Sequence, residues 1–170
     1  MSHVAVMGVT GCGKSTVGAL LARKCRVPFG DGDDFHSPVS IAKMAAGIPL
    51  EDDDRWPWLA DIGAWLNGHP SGAVVACSAL TRPYRDAIRQ AEPSTVFVHL
   101  AAPQSALEGR VRARSQRDGH FAGARLLDSQ YAALEPLRND ERGITIDVSN
   151  VPPARASEVA YGWLVSALAP

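Results

Sequence analysis

The sequence predicts an α/β protein built on a parallel five-stranded sheet with helices on both faces. Two patterns carry this. Short apolar runs alternate with stretches of helical periodicity, the mark of repeated strand–helix–strand units. The first of those runs also leads into Gly8-Val9-Thr10-Gly11-Cys12-Gly13-Lys14-Ser15, which has the spacing G-x-x-x-x-G-K-S. An amphipathic stretch follows directly. Strand, glycine-rich turn and helix in that order make a phosphate-binding loop rather than an empty turn.

The elements follow in chain order. His3–Met7 is a short buried strand, and Thr16–Lys24 is a helix with Val17, Ala19, Leu20 and Leu21 on its apolar side. Val27–Gly30 is the second strand, ending at Asp31-Gly32-Asp33-Asp34. Ser37-Pro38 reads as an N-cap with proline at the first helical position, and Gly47 as that helix's stop. Asp52-Asp53-Asp54 offers the next N-cap, where acids suit the helix dipole. Trp56, Leu59, Ile62, Trp65 and Leu66 follow at helical spacing to Asn67-Gly68. Ala73–Cys77 is continuously apolar, as a doubly covered parallel strand should be. Thr81-Arg82-Pro83 opens a helix to about Ala91, and Val96–Leu100 is another buried strand. Pro103 starts a helix running into Arg110, Arg112 and Arg114. Ser115–Gly123 is polar and reads as a mobile lid loop. Leu126–Leu134 is helical, Ile144–Val148 is the last strand, and Ala154–Leu168 closes the chain as a helix.

Length and composition bound the reading. A chain of 170 residues, 46% hydrophobic and 21% charged, suits one soluble domain with one sizeable core. A net charge of −1 gives no bulk attraction to nucleic acid or to an anionic membrane. Cys12, Cys25 and Cys77 form no C-x-x-C pair, which points to a reducing compartment. No signal peptide fits before the first strand, and no apolar run approaches a membrane span. The expectation is a cytoplasmic protein.

In a parallel sheet, ligands bind beyond the carboxyl ends of the strands. The amides from Gly8 to Thr16 would cradle phosphate at a helix N-terminus, Lys14 would add a point charge, and Ser15 would ligate Mg²⁺. Cys12 lies among those N–H donors, where a thiol is acidified, but reads as a permissive loop residue. Asp31 is placed to hold Mg²⁺, and Asp33 to orient an attacking hydroxyl and take its proton, with Gly32 letting a ligand approach. His36 would either bind substrate or cap the next helix. Ser78 lies beside the phosphates, and Arg55 and Arg85 are positioned for an anionic group. Of the basic run, Arg112 reads as a surface residue, while Arg114 and Arg117 read as lid arginines that stabilise a transferring phosphoryl group. Trp56, Trp58 and Trp65 read as packing residues.

Several segments together resemble the small bacterial-type gluconate kinases. They are Met7–Thr16, Asp31-Gly32-Asp33-Asp34-Phe35-His36, Lys43-Met44-Ala45-Ala46-Gly47-Ile48-Pro49-Leu50, Asp52-Asp53-Asp54-Arg55-Trp56-Pro57-Trp58-Leu59, Ala76-Cys77-Ser78-Ala79-Leu80 with Tyr84-Arg85-Asp86, Gly119-His120-Phe121, and Leu126-Leu127-Asp128-Ser129-Gln130 with Leu134-Glu135-Pro136. The resemblance implies a P-loop kinase fold related to shikimate and adenylate kinases, and ATP- and Mg²⁺-dependent phosphorylation of D-gluconate by a cytoplasmic homodimer. It adds His120 and Gln130 to the substrate-binding set. The chain departs from the family where Ser115-Gln116-Arg117-Asp118 lengthens the link before Gly119 and where Ala122-Gly123 follow Phe121. A kinase of the same fold for another small acid, such as shikimate, is the nearest alternative. A nucleotide-binding switch is less well supported, because no guanine-reading N-K-x-D occurs.

Overall fold

A computed structural model describes residues 3–46, 48–118 and 123–167, with side chains at all of these except 114–118 and 123–125. The strands are β1 (Val4–Met7), β2 (Phe29–Asp31), β3 (Val74–Ala76), β4 (Val96–Ala101) and β5 (Gly143–Asp147). They pair in parallel in the order β2-β3-β1-β4-β5. The chain passes from β1 to the edge strand β2, returns to β3 between the two, and then crosses over β1 to β4 and β5. The strand order therefore reverses at β1, which is where such sheets open a binding crevice.

The helices are α1 (Lys14–Cys25), α2 (Pro38–Ala45), α3 (Asp52–Asn67), α4 (Arg82–Ala91), α5 (Gln104–Asp118), α6 (Gly123–Ala133) and α7 (Pro153–Ala167). They divide between the two faces. Val4, Val6, Val96, Val98 and Leu100 share one core with Val17 and Leu21 of α1, Leu107 of α5 and Leu164 of α7. Ala5, Met7, Val75 and Phe97 share the other with Trp58, Leu59 and Ile62 of α3 and Ile88 of α4. Alternate residues of the central strands β1, β3 and β4 face opposite layers, so these read as nearly unbroken apolar runs, while the edge strands β2 and β5 are only partly buried. Among the described residues no helix is long and apolar enough to cross a membrane.

Most element positions match the sequence expectation within a residue or two, and four details differ. Asp31–His36 is not a plain strand-end turn: Gly32–Phe35 form a single 3₁₀ turn capped by the Asp31 side chain. Helix α3 is capped one residue earlier than expected, by Glu51, because the Asp54 carboxylate reaches back to the Glu51 N–H at 3.0 Å. Ser115–Asp118, expected in a loop, continue α5 as helix, so the added residues lengthen the helix instead of the link. Helix α2 ends at Ala45 with Ala46 as its cap. The expected stop, Gly47, and residues 119–122 of the expected lid lie outside the described residues.

Candidate functional site

The phosphate loop joins β1 to α1 across the point where the strand order reverses. Gly13 caps α1 with φ 96° and nothing near the position a Cβ would occupy, so backbone conformation alone requires glycine there. The loop is tied on both sides: the Gly8 N–H donates to the Ser78 carbonyl at 3.3 Å, and the Thr10 N–H donates to Gln130 Oε1 at 2.6 Å. The Lys14 ammonium turns back to the Val9 carbonyl at 3.1 Å. Ser15 and Thr16 are exposed at the first turn of α1. Their amides and the helix N-terminus make this end electropositive. The acidic thiol expected of Cys12 is not found. Its side chain is buried, and loss of solvation raises the pKa by more than Lys14 lowers it.

The carboxylates stand at the end of β2. Asp31 Oδ1 accepts the Asp33 N–H at 3.2 Å. Gly32 serves close packing and not ligand approach, because a Cβ there would lie 2.5 Å from the Ala76 carbonyl oxygen. Its own carbonyl accepts the Trp58 indole N–H at 2.7 Å. Asp33 is exposed, so its carboxylate is open to a ligand. The His36 ring stacks on Trp58 with centroids 4.6 Å apart and planes within 10°. Its Nδ1 is buried and has no hydrogen-bond partner among the described residues. Burial lowers the His36 pKa, Asp33 opposes that shift, and Arg55 adds to it. The buried thiol of Cys77, at the end of β3, is pushed up to about 12 by desolvation, with charge effects from Lys14, Asp33 and Asp31 superimposed. Lys14, Asp31 and Asp33 thus act on the thiol after β3, and Asp33 and Arg55 act on His36, so Asp33 is common to both neighbourhoods.

Arg55 lies across the gap between α3 and α4. Its Nη1 donates to the Tyr84 hydroxyl at 3.0 Å, and its side chain remains about one-third exposed. Lys43 reaches both oxygens of Asp54, at 2.7 and 2.8 Å, and so pins α2 to the start of α3.

Arg85 does not belong to the cleft. Its guanidinium is buried, with Nε and Nη2 each 2.7 Å from the Glu141 carboxylate and Nη1 directed at the carbonyls of Ala79, Leu80 and Glu135. Every donor is consumed inside the protein, leaving none for a substrate. Gln130 likewise spends its carbonyl on the phosphate loop. Ser78 stands beside that loop, but through its backbone. The side chains of Arg114 and Arg117 and all of His120 lie outside the described residues. Two residues at the site were not anticipated: Trp58, which props both Gly32 and His36, and Tyr84, which holds Arg55. The signal for Trp58 was its position beside Arg55 in the acidic-start helix.

The residues present fit a magnesium ion. The Ser15 hydroxyl is exposed at the helix start, and Asp31 Oδ2 has no hydrogen bond among the described residues. Both are oxygen donors, the class this cation prefers.

The shikimate kinase family model matches residues 10–160. The gluconokinase of Gluconobacter oxydans is 43% identical over 146 residues, spanning 83% of this chain and 79% of that protein. A gluconokinase structure from Sinorhizobium meliloti superposes with a TM-score of 0.85 at 42% identity, covering 98% of this chain and 95% of that one. An unliganded sugar kinase structure from Janibacter superposes with a TM-score of 0.86 at 44% identity, covering 96% and 94%.

Proposed function

This chain belongs to the gluconokinase family, within the wider shikimate kinase family, and we propose that it transfers the γ-phosphoryl group of ATP to the terminal hydroxyl of D-gluconate, giving 6-phospho-D-gluconate. The observation that carries this reading is the phosphate loop at the end of β1 set beside the Asp31–Asp33 carboxylates at the end of β2, with Asp31 in register with Ala76 of β3 and Ala76 with Val6 of β1.

The residues divide the work. The Gly8–Thr16 amides and Lys14 grip the triphosphate, and Lys14 leaves the Val9 carbonyl to do so. Asp33, exposed in the turn after β2, orients the terminal hydroxyl and receives its proton. His36 is held on its Trp58 platform and, with burial lowering its pKa, stands neutral on the acceptor side. Arg55 takes the carboxylate, a planar anion that suits a guanidinium fork. Ser15 and Asp31 would hold Mg²⁺, which when bound supplies charge neutralisation at the phosphates. Arg114, Arg117 and His120 complete the lid side in this reading. Catalysis of this kind is positioning and electrostatics.

We also read the protein as a single P-loop kinase domain and a cytoplasmic homodimer. Three unpaired cysteines suit a reducing compartment. Val39, Ile41 and Met44 of α2 and Ile48 after it are exposed apolar side chains, the kind of surface a second subunit would cover. The near-neutral charge does not favour nucleic acid or membrane as partner.

The test is ADP release with gluconate, shikimate, gluconolactone and ribose at equal concentration. Turnover is expected with gluconate and only background with the others. Equal turnover with shikimate, or nucleotide binding without stimulated turnover, would overturn the reading.

A further inference from the structure

We propose that Tyr84 sets how tightly the enzyme holds its acid substrate, by fixing Arg55 in the orientation that accepts a carboxylate. The proposal rests on the reading that Arg55 is the carboxylate's partner.

The Tyr84 hydroxyl donates its only proton to Asp52 Oδ1 at 2.6 Å. Its lone pairs are then left for the Arg55 Nη1 donor at 3.0 Å. Asp52 is also 3.5 Å from the same Nη1, one turn earlier on α3. The guanidinium carbon sits 5.6 Å from the centroid of the Tyr84 ring, and Trp56 packs edge-on against that ring at 5.4 Å. Arg55 is thus held by its Nη1 corner and from one face. Nε and Nη2 carry no hydrogen bond among the described residues. Those two atoms form the side edge of the fork, which presents two parallel N–H groups and matches a carboxylate oxygen for oxygen. A partly exposed arginine without this tether would have to give up its rotamer freedom on binding, and acceptor affinity would fall accordingly. Tyr84 touches Arg55 and not the acceptor, so it is a positioning residue.

The experiment is a cycle of Tyr84→Phe and Arg55→Gln, with gluconate and ATP kinetics measured on both single variants and the double. Tyr84→Phe keeps the ring that packs on Trp56 and removes only the hydroxyl. The expected result is a rise of about tenfold in the gluconate KM, with kcat and the ATP KM within about twofold of the parent. In the Arg55→Gln background, Tyr84→Phe should change the gluconate KM by less than about twofold, because the group it orients is gone. A purely structural tyrosine would instead lower kcat, or add its full loss to the double variant, and either result overturns the proposal. A parental KM in Tyr84→Phe with a raised KM in Arg55→Gln overturns this proposal alone. A parental KM in Arg55→Gln overturns the carboxylate reading and the proposal with it.

Discussion

The Arg85 guanidinium and the Glu141 carboxylate meet edge to edge inside the protein, at 2.7 Å for both contacts, with neither side chain reaching solvent. Glu141 also accepts from Arg89 Nη2 at 3.0 Å and from the Arg138 N–H at 3.1 Å. The pair fastens α4, whose N-terminal end carries the Tyr84 that holds Arg55, to the segment that follows α6. Burial by itself would raise the Glu141 pKa, but the bonds from Arg85, Arg138 and Arg89 outweigh it and hold the group at about 2.

Glu141→Gln leaves a buried arginine without its counter-charge and is expected to cost about 3–5 kcal/mol of stability at neutral pH. The acid limb should change as well. A carboxyl held down at about 2, against an ordinary value of about 4.3, stabilises the fold above the higher figure and loses that contribution as pH falls through the lower. Urea midpoints measured from pH 7 down to pH 2 should therefore fall less steeply for the variant. Turnover per folded molecule should stay within about twofold of the parent, since Arg85 does not touch substrate. A variant as stable as the parent at pH 7 would show that the pair contributes nothing.

Gln130 reads as a brace of the phosphate loop, so Gln130→Ala should weaken nucleotide binding and spare the acceptor. A lost hydrogen bond of about 1 kcal/mol corresponds to a rise of roughly fivefold in the ATP KM. A raised gluconate KM with an unchanged ATP KM would restore Gln130 to the substrate side.

Lys14→Ala should lower kcat/KM by about 10²–10³-fold or more without changing the thermal midpoint, because among the described residues its side chain bonds only the Val9 carbonyl. Asp33→Asn should lower turnover by about 10²–10⁴-fold and change ATP affinity far less. Wild-type turnover in Asp33→Asn would dismiss it as the base.

His99 lies on β4 with both ring nitrogens buried and without a hydrogen-bond partner among the described residues. Burial, aided by the nearby Arg85 charge, lowers its pKa to about 4. The unfolded chain protonates this ring near pH 6.5 and the native one does not, so stability falls as pH drops from about 6.5 to about 4 and then levels off. His99→Leu removes that slope and two unsatisfied atoms. It should match or exceed the parent at pH 7, and lose about 2 kcal/mol less on going to pH 5, as read from urea midpoints. Equal losses in both proteins would place the acid sensitivity elsewhere.

The order of elements, the phosphate loop and the carboxylate cluster after β2 were all legible in the sequence. Each is specified by neighbours along the chain: alternating apolar runs, glycines at fixed offsets, a serine–proline cap. Arg85 shows where that kind of reading stops. Its motif and helix position suit substrate binding equally well, and only Glu141, 56 residues later, turns it into a buried fastening. Gln130 meets its partner across 120 residues, and Tyr84 meets Arg55 across 29. Glycine and proline constrain their own backbone, so they announce their role locally. A long polar side chain takes its role from whichever group the folded chain brings within hydrogen-bond reach, and for these three residues only the tertiary structure supplied that group.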